Sequence, residues 1–187
     1  MPERIIPITP GNIYHIYNRG VNKQKIFFSE KNYQFFIYRL NKFFQEYAIC
    51  YAYCLMPNHY HLLVKVINEL FVPKALHPLM VSYSKAVNNE QGRVGPLFQG
   101  RFQAILIEDK IQFLDCVKYI HLNPIKAGLV RTSVEWTHSS YSHYLNIKSD
   151  SFIQTADVLS HFEDIQEFRE YTEFGCEDYQ SKYFFDD

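Results

Sequence analysis

Hydrophobic residues recur with two different periods along this chain, and the switches between them mark out its elements. "NIYHIYNRG" (12–20) alternates, with Ile13, His15 and Tyr17 on one side and Tyr14 and Ile16 on the other. That period of two predicts a strand ending in a turn at Gly20. From 29 to 48 the period lengthens: Tyr33, Phe36, Ile37, Leu40, Phe44 and Tyr47 fall at helical spacing. Ser29 is the expected N-cap, with Glu30 in the first turn. "AICYAYCLM" (48–56) and "HYHLLVKV" (59–66) are rich in β-formers, and the Pro57-Asn58 turn between them predicts a hairpin. Residues 67–75 read as a loop, and Pro78 opens a helix that reaches Asn89. Three glycines and a proline make 90–101 a loop, and "FQAILIE" (102–108) a fourth strand. Asp109 is expected to cap a helix through Leu122, after which Asn123 caps a short helix with Pro124 at its first position. Beyond 133 the pattern weakens, although "DIQEFREYTEF" is expected to be helical. The order strand, helix, strand, strand, helix, strand, helix implies an α+β domain with a mainly antiparallel sheet.

Composition narrows the class. A chain of 187 residues suggests one domain of ordinary size, and 17% aromatic content favours folding over disorder. Its apolar runs are far shorter than a membrane span, and "MPERIIPITPGN" lacks the apolar stretch of a secretory signal. The expected location is the cytoplasm, with no membrane partner. Cys50, Cys54, Cys116 and Cys176 form no CxxC pair, and the expectation is small buried thiols, neither zinc site nor disulfide.

Net charge is −1, but it is unevenly spread. Residues 1–131 hold 16 Lys and Arg against 8 Asp and Glu, whereas residues 132–187 hold 3 against 12. A basic body with an acidic end fits a domain that binds a polyanion. The plainer reading is two solvated faces. We divide the chain at 1–147 and an acidic C-terminal extension, 148–187. One expectation is that 150–187 docks on the basic face and competes with its ligand; the other is a solubilising end.

"MPNHYHLL" (56–63) holds the strongest chemical signal. Side chains on a strand alternate, so His59 and His61 point the same way while Tyr60, Leu62 and Val64 point to the core. Two imidazoles on one rigid face can hold a divalent metal; equally, they are surface groups on a half-exposed sheet. The helix after Asp109 offers partners. Tyr119 lies beside the stripe of Phe113, Val117 and Ile120 and need not be core. Asn123 follows one turn later on the same side. A phenol and an amide oxygen aimed at the histidine face would complete a site. Packing for Tyr119 and capping for Asn123 are the competing roles.

Five separated stretches then agree in order and spacing: "YHIYNRG", "MPNHYHLLV", "GPLFQGRF", "YIHLNPIKAGLV" and "WTHSSY". Together they resemble the IS200-like single-strand transposases, and most closely the REP-associated tyrosine transposase branch, over residues 12–147. The resemblance implies a ferredoxin-like antiparallel sheet flanked by helices, of the HUH endonuclease type. It implies His59 and His61 as metal ligands around a bulky residue, here Tyr60, with Asn123 as third ligand where the wider group often has Gln. The metal implied is Mg²⁺ or Mn²⁺. Tyr119 becomes the nucleophile, forming a 5′-phosphotyrosine and releasing a 3′-hydroxyl, with Asp115, His121 or the metal helping to remove its proton.

The implied partner is single-stranded or hairpin DNA, met by a monomer or homodimer. Asn18, Arg19, Gln99, Arg101 and Lys126 are the implied DNA contacts, and each is otherwise a solvated polar group. The resemblance supports cleavage and rejoining of DNA at hairpin sites. Two alternatives stand beside it: a domesticated hairpin-binding protein without transposition activity, and a metal hydrolase that uses water.

Overall fold

Alternating residues pair into a single sheet in the computed structural model, which describes residues 7–148 and 152–174. The strands are β1 (Ile13–Arg19), β2 (Ala48–Met56), β3 (His59–Val66) and β4 (Gln103–Ile107). Their order is β2-β3-β1-β4, and every neighbouring pair is antiparallel. With helix α1 (Glu30–Phe44) after β1 and α2 (His77–Glu90) after β3, this is the expected ferredoxin-like α+β arrangement.

Strand alternation assigns the two faces. Tyr14, Ile16, Tyr60, Leu62, Val64 and Val66 turn to one face and pack under Phe36, Leu40 and Phe44 of α1 and Leu79, Tyr83 and Val87 of α2. The other face receives α3 (Lys110–Lys126), through Phe113, Cys116, Val117, Tyr119 and Ile120. A bulge in β2 between Cys50 and Ala52 puts two successive residues, Tyr51 and Ala52, on the α3 side. Cys50, Cys54 and Cys116 are buried free thiols, and Cys176 lies outside the described residues.

Two elements differ from the sequence expectation. The loop read at 67–75 contains a wide helical turn, Phe71–Leu76, that runs straight into α2. Phe71, Ala75 and Leu76 bury their side chains there, and that anchoring outweighs the Pro73 signal. Helix α3 also does not stop at Leu122. It passes through Asn123 and Pro124, so Asn123 caps no second helix. Proline forfeits one intrahelical hydrogen bond, but Leu122, Asn123 and Pro124 are all buried. The helix ends where Gly128 turns left-handed (φ +66°), with Leu129 N–H bonded to the Pro124 carbonyl at 2.9 Å.

The later segments are tied to the sheet. Residues 136–140 lie along β2: the Trp136 indole donates to the Leu55 carbonyl at 3.1 Å, and Ser140 N–H donates to the Tyr53 carbonyl at 2.9 Å. That contact covers the outer edge of β2. Short helices α4 (Tyr141–Tyr144) and α5 (Ala156–Leu159) and helix α6 (Ile165–Glu173) complete the α3 layer. Val158 and Phe168 are fully buried in it. The described part of the acidic extension is therefore packed into the second core, which makes removal of everything from residue 150 a disruption of the fold. Residues 175–187, the rest of the proposed docking tail, lie outside the described residues. No helix among those described is long and apolar enough to cross a membrane.

Candidate active site

Antiparallel pairing of β1 with β3 brings a ring cluster together at the centre of the sheet. Tyr17 lies directly opposite His61 and Arg19 opposite His59. Helix α3 crosses above them, and Tyr119 lies edge-on to His61, with ring centres 5.5 Å apart. His59 and His61 share the face as their spacing requires, with ring centres 4.9 Å apart and planes at 84°. His61 is 1% exposed, while His59 is half-buried.

Each imidazole is oriented through Nδ1. The Asn58 amide oxygen lies 2.7 Å from His59 Nδ1, so that nitrogen carries the proton and the lone pair falls on Nε2. Asn58 is held in turn by donation to the Lys23 carbonyl at 3.4 Å. His61 Nδ1 lies 2.9 Å from Nε2 of His15, a buried histidine on β1. His15 is the residue that sequence reasoning missed. Its place beside Tyr17 on one strand face was readable, but which face carries the site depends on the pairing of β1 with β3. Asn58 was read only as turn chemistry.

Electrostatics follows from burial. Desolvation is the main cause holding the His61 pKa well below the ordinary histidine value, with the charges of His59 and His15 adding to it and the Asn123 side chain opposing. Burial lowers the His15 pKa to about 3. Both rings are neutral at physiological pH, the form in which imidazole binds metal.

Helix α3 contributes two further groups. Asn123 donates through Nδ2 to the Tyr119 carbonyl at 2.9 Å, which leaves its amide oxygen as the end that can accept. Among the described residues no three His, Cys, Asp or Glu side chains gather into a metal cage. A cation at the histidine pair would thus draw its third protein donor from the Asn123 oxygen. Two imidazole nitrogens with one amide oxygen are a donor set that a divalent cation accepts. The buried Nε2 of His61, which has no partner in hydrogen-bond geometry, is the observation that favours such a ligand.

Tyr119 corrects one expectation. Its ring is 1% exposed and belongs to the second core, not to the margin of the apolar stripe. It is buried against the site itself, at 5.5 Å from His61 and 5.7 Å from His15, with Lys126 Nζ 5.7 Å from its ring centre. His121 is a second correction. It points away from the histidine pair, where its Nε2 contacts Ser140 Oγ at 2.8 Å among Tyr141, Tyr144 and Phe168. Burial lowers its pKa to about 3, and it is a core histidine, not a base for Tyr119.

The implied DNA contacts separate into groups. Asn18 is 6% exposed and works inward: it accepts from Arg19 N–H at 2.9 Å and donates to the Gly100 carbonyl at 3.4 Å. Arg19 Nε donates to the Gln99 amide oxygen at 3.1 Å, joining the end of β1 to the 98–101 loop. Gln99 and Arg101 are exposed on that loop. Lys126 lies over the Tyr119 ring.

Comparison with known proteins finds relatives of the chain and of its fold. Residues 10–123 match the family described as "Transposase IS200 like". A Haemophilus influenzae protein, provisionally named a REP-associated tyrosine transposase, is 27% identical over 100 residues. That match takes in 48% of this chain and 57% of the relative, so the chain spans little more than half of the relative's length. A solved structure of a REP-associated tyrosine transposase bound to a REP hairpin superposes with a TM-score of 0.61 at 17% identity. It covers 82% of this chain and 98% of that one, a likeness of fold.

Proposed function

The chain belongs to the IS200-like transposases, and on that premise we propose that it cleaves and rejoins single-stranded DNA at hairpin sites, with Tyr119 as nucleophile. The observation that carries the proposal is the direct packing of the Tyr119 ring against His61, at 5.5 Å. A phenol in contact with paired imidazoles is costly to bury and easily replaced by Phe in a pure binder. His59, His61 and Asn123 would hold a Mg²⁺ or Mn²⁺ ion, and the chemistry it supplies when bound is Lewis-acid polarisation of a phosphodiester.

The remaining steps belong to the protein. Tyr119 Oη attacks phosphorus in line; the O–P bond forms as the bond from phosphorus to the 3′-oxygen breaks. The phenolic proton leaves and the 3′-oxygen takes one up, giving a free 3′-hydroxyl and a 5′-phosphotyrosine. A second 3′-hydroxyl reverses the step and joins new strands, so no ATP is needed. An unperturbed phenol has a pKa near 10, so its proton needs help at neutral pH. Of the two side-chain bases considered, His121 is set in the core and the charge of Asp115 reaches Tyr171 of α6, so neither is assigned the proton.

DNA recognition draws on the exposed 98–101 loop and on Arg19 and Lys126. The hairpin partner is supported by the solved relative and by the basic composition of residues 1–131. The near-complete burial of Tyr119 favours the second reading, a hairpin-binding protein that does not cut. Incubation with labelled hairpin DNA and Mn²⁺, followed by denaturing electrophoresis, separates the two. The enzyme reading expects a covalent protein–DNA adduct that disappears in Tyr119→Phe. Hairpin binding with no adduct in the native protein contradicts it.

A further inference from the structure

We infer that His15 is a positioning residue for His61, accepting a hydrogen bond at Nε2 from His61 Nδ1–H and so reserving His61 Nε2 for a divalent cation. The inference rests on the metal site proposed above. The contact is 2.9 Å long, and the two ring planes are inclined by only 20° with centres 5.1 Å apart, so the facing nitrogens meet edge to edge. Both residues are 1% exposed, so solvent does not compete for the bond.

The strand register explains the reach. His15 pairs with Leu63, and Tyr17 with His61, which makes His15 the diagonal neighbour of His61. An aromatic side chain spans that diagonal, whereas a short one does not. Tyr17 packs on both rings, 5.1 Å from His15 and 6.0 Å from His61, and Tyr119 closes over both histidines. The imidazole pair is therefore fixed by packing as well as by its bond.

The direction of the bond follows from what each choice leaves behind. When His61 donates, its lone pair lies on Nε2, a buried atom with no partner in hydrogen-bond geometry. When His15 donates instead, that same atom becomes a buried N–H. The first arrangement moves the ring proton of His15 to its Nδ1 in exchange, so what selects it is the cation, which binds a lone pair at His61 Nε2 and not an N–H.

The outcome matches His59, whose Nδ1 is held by Asn58. Both proposed ligands would then present Nε2 to the metal, each with its far nitrogen engaged, as is general for metal-bound histidine. Nothing in sheet packing alone calls for a polar ring at position 15, where Leu or Phe would fill the space without desolvating an imidazole.

The test uses the full chain in three forms: native, His15→Phe and His15→Gln. Phe keeps the ring and removes the acceptor; Gln retains an acceptor oxygen at similar reach. Mn²⁺ affinity is measured by calorimetry, and the tautomer of His61 by long-range ¹H–¹⁵N NMR on the metal-free protein. We expect His61 in the Nδ1–H form in the native chain. His15→Phe should weaken Mn²⁺ binding about ten- to a hundredfold and scramble the tautomer, and His15→Gln should recover most of the affinity.

Unchanged Mn²⁺ affinity in a folded His15→Phe overturns the inference and leaves the metal site standing. Native protein that binds no Mn²⁺ through His61 overturns the metal site and the inference with it. Should His15→Phe fail to fold, the native spectrum decides, and His61 found as the Nε2–H form rejects the proposal.

Discussion

Two of the histidines described here sit in similar burial yet differ in what surrounds them. His61 meets His15, His59 and Tyr119 at the sheet, whereas His121 meets Ser140 and a wall of aromatic rings. His121 supplies a test of burial free of metal chemistry. Its folded pKa is about 3 against an ordinary 6.5, so the folded protein binds fewer protons than the unfolded chain below pH 6.5. Stability from this group is complete above that pH and is lost as pH falls toward the folded value. Between pH 7 and pH 5 the loss from this one group is about 2 kcal/mol. Urea unfolding at both pH values should show a smaller drop for His121→Gln than for the native chain; equal drops contradict the assignment. The spacing of His59 and His61 was legible in the sequence because strand alternation fixes it locally. His15 was not, since its role depends on which strand β1 pairs with, and Tyr119 looked peripheral because the angular position of one helix residue says little about what covers it.

At the scale of elements, patterns of period two and period 3.6 located all four strands and the three longest helices. What they missed are places where burial overrides a local signal. Pro124 reads as the start of a helix, yet α3 passes through it because the residues around it are buried. The Phe71–Leu76 turn forms under similar compulsion. Helix α6 matters more than its charged sequence suggests. Phe168 is fully buried, stacking on Tyr144 at 4.8 Å and meeting Phe162 and His121. Phe168→Ala should cost about 3–5 kcal/mol of stability, read as a lower urea midpoint with an unchanged slope. A loss below about 1 kcal/mol would mean that α6 is an appendage and not part of the core.

Across the whole molecule, the two faces of one sheet have separate duties. The α1–α2 face builds the larger apolar core, and the α3 face combines a second core with the histidine–tyrosine cluster. Basic residues predominate in residues 1–131 and acidic ones in residues 132–187. If the exposed 98–101 loop meets DNA phosphates, hairpin affinity must fall steeply with salt. Arg101→Ala should then weaken binding similarly for different hairpin sequences and lessen the log–log salt slope by about one. A slope equal to that of the native protein would remove Arg101 from the interface. The account's central claim is that Tyr119 itself becomes joined to DNA. Protease digestion of the adduct formed with hairpin DNA and Mn²⁺, followed by mass spectrometry, reads this directly. The predicted result is a 5′-linked nucleotide on the peptide containing Tyr119; a nucleotide on any other residue, or cut DNA with no peptide attached, contradicts it.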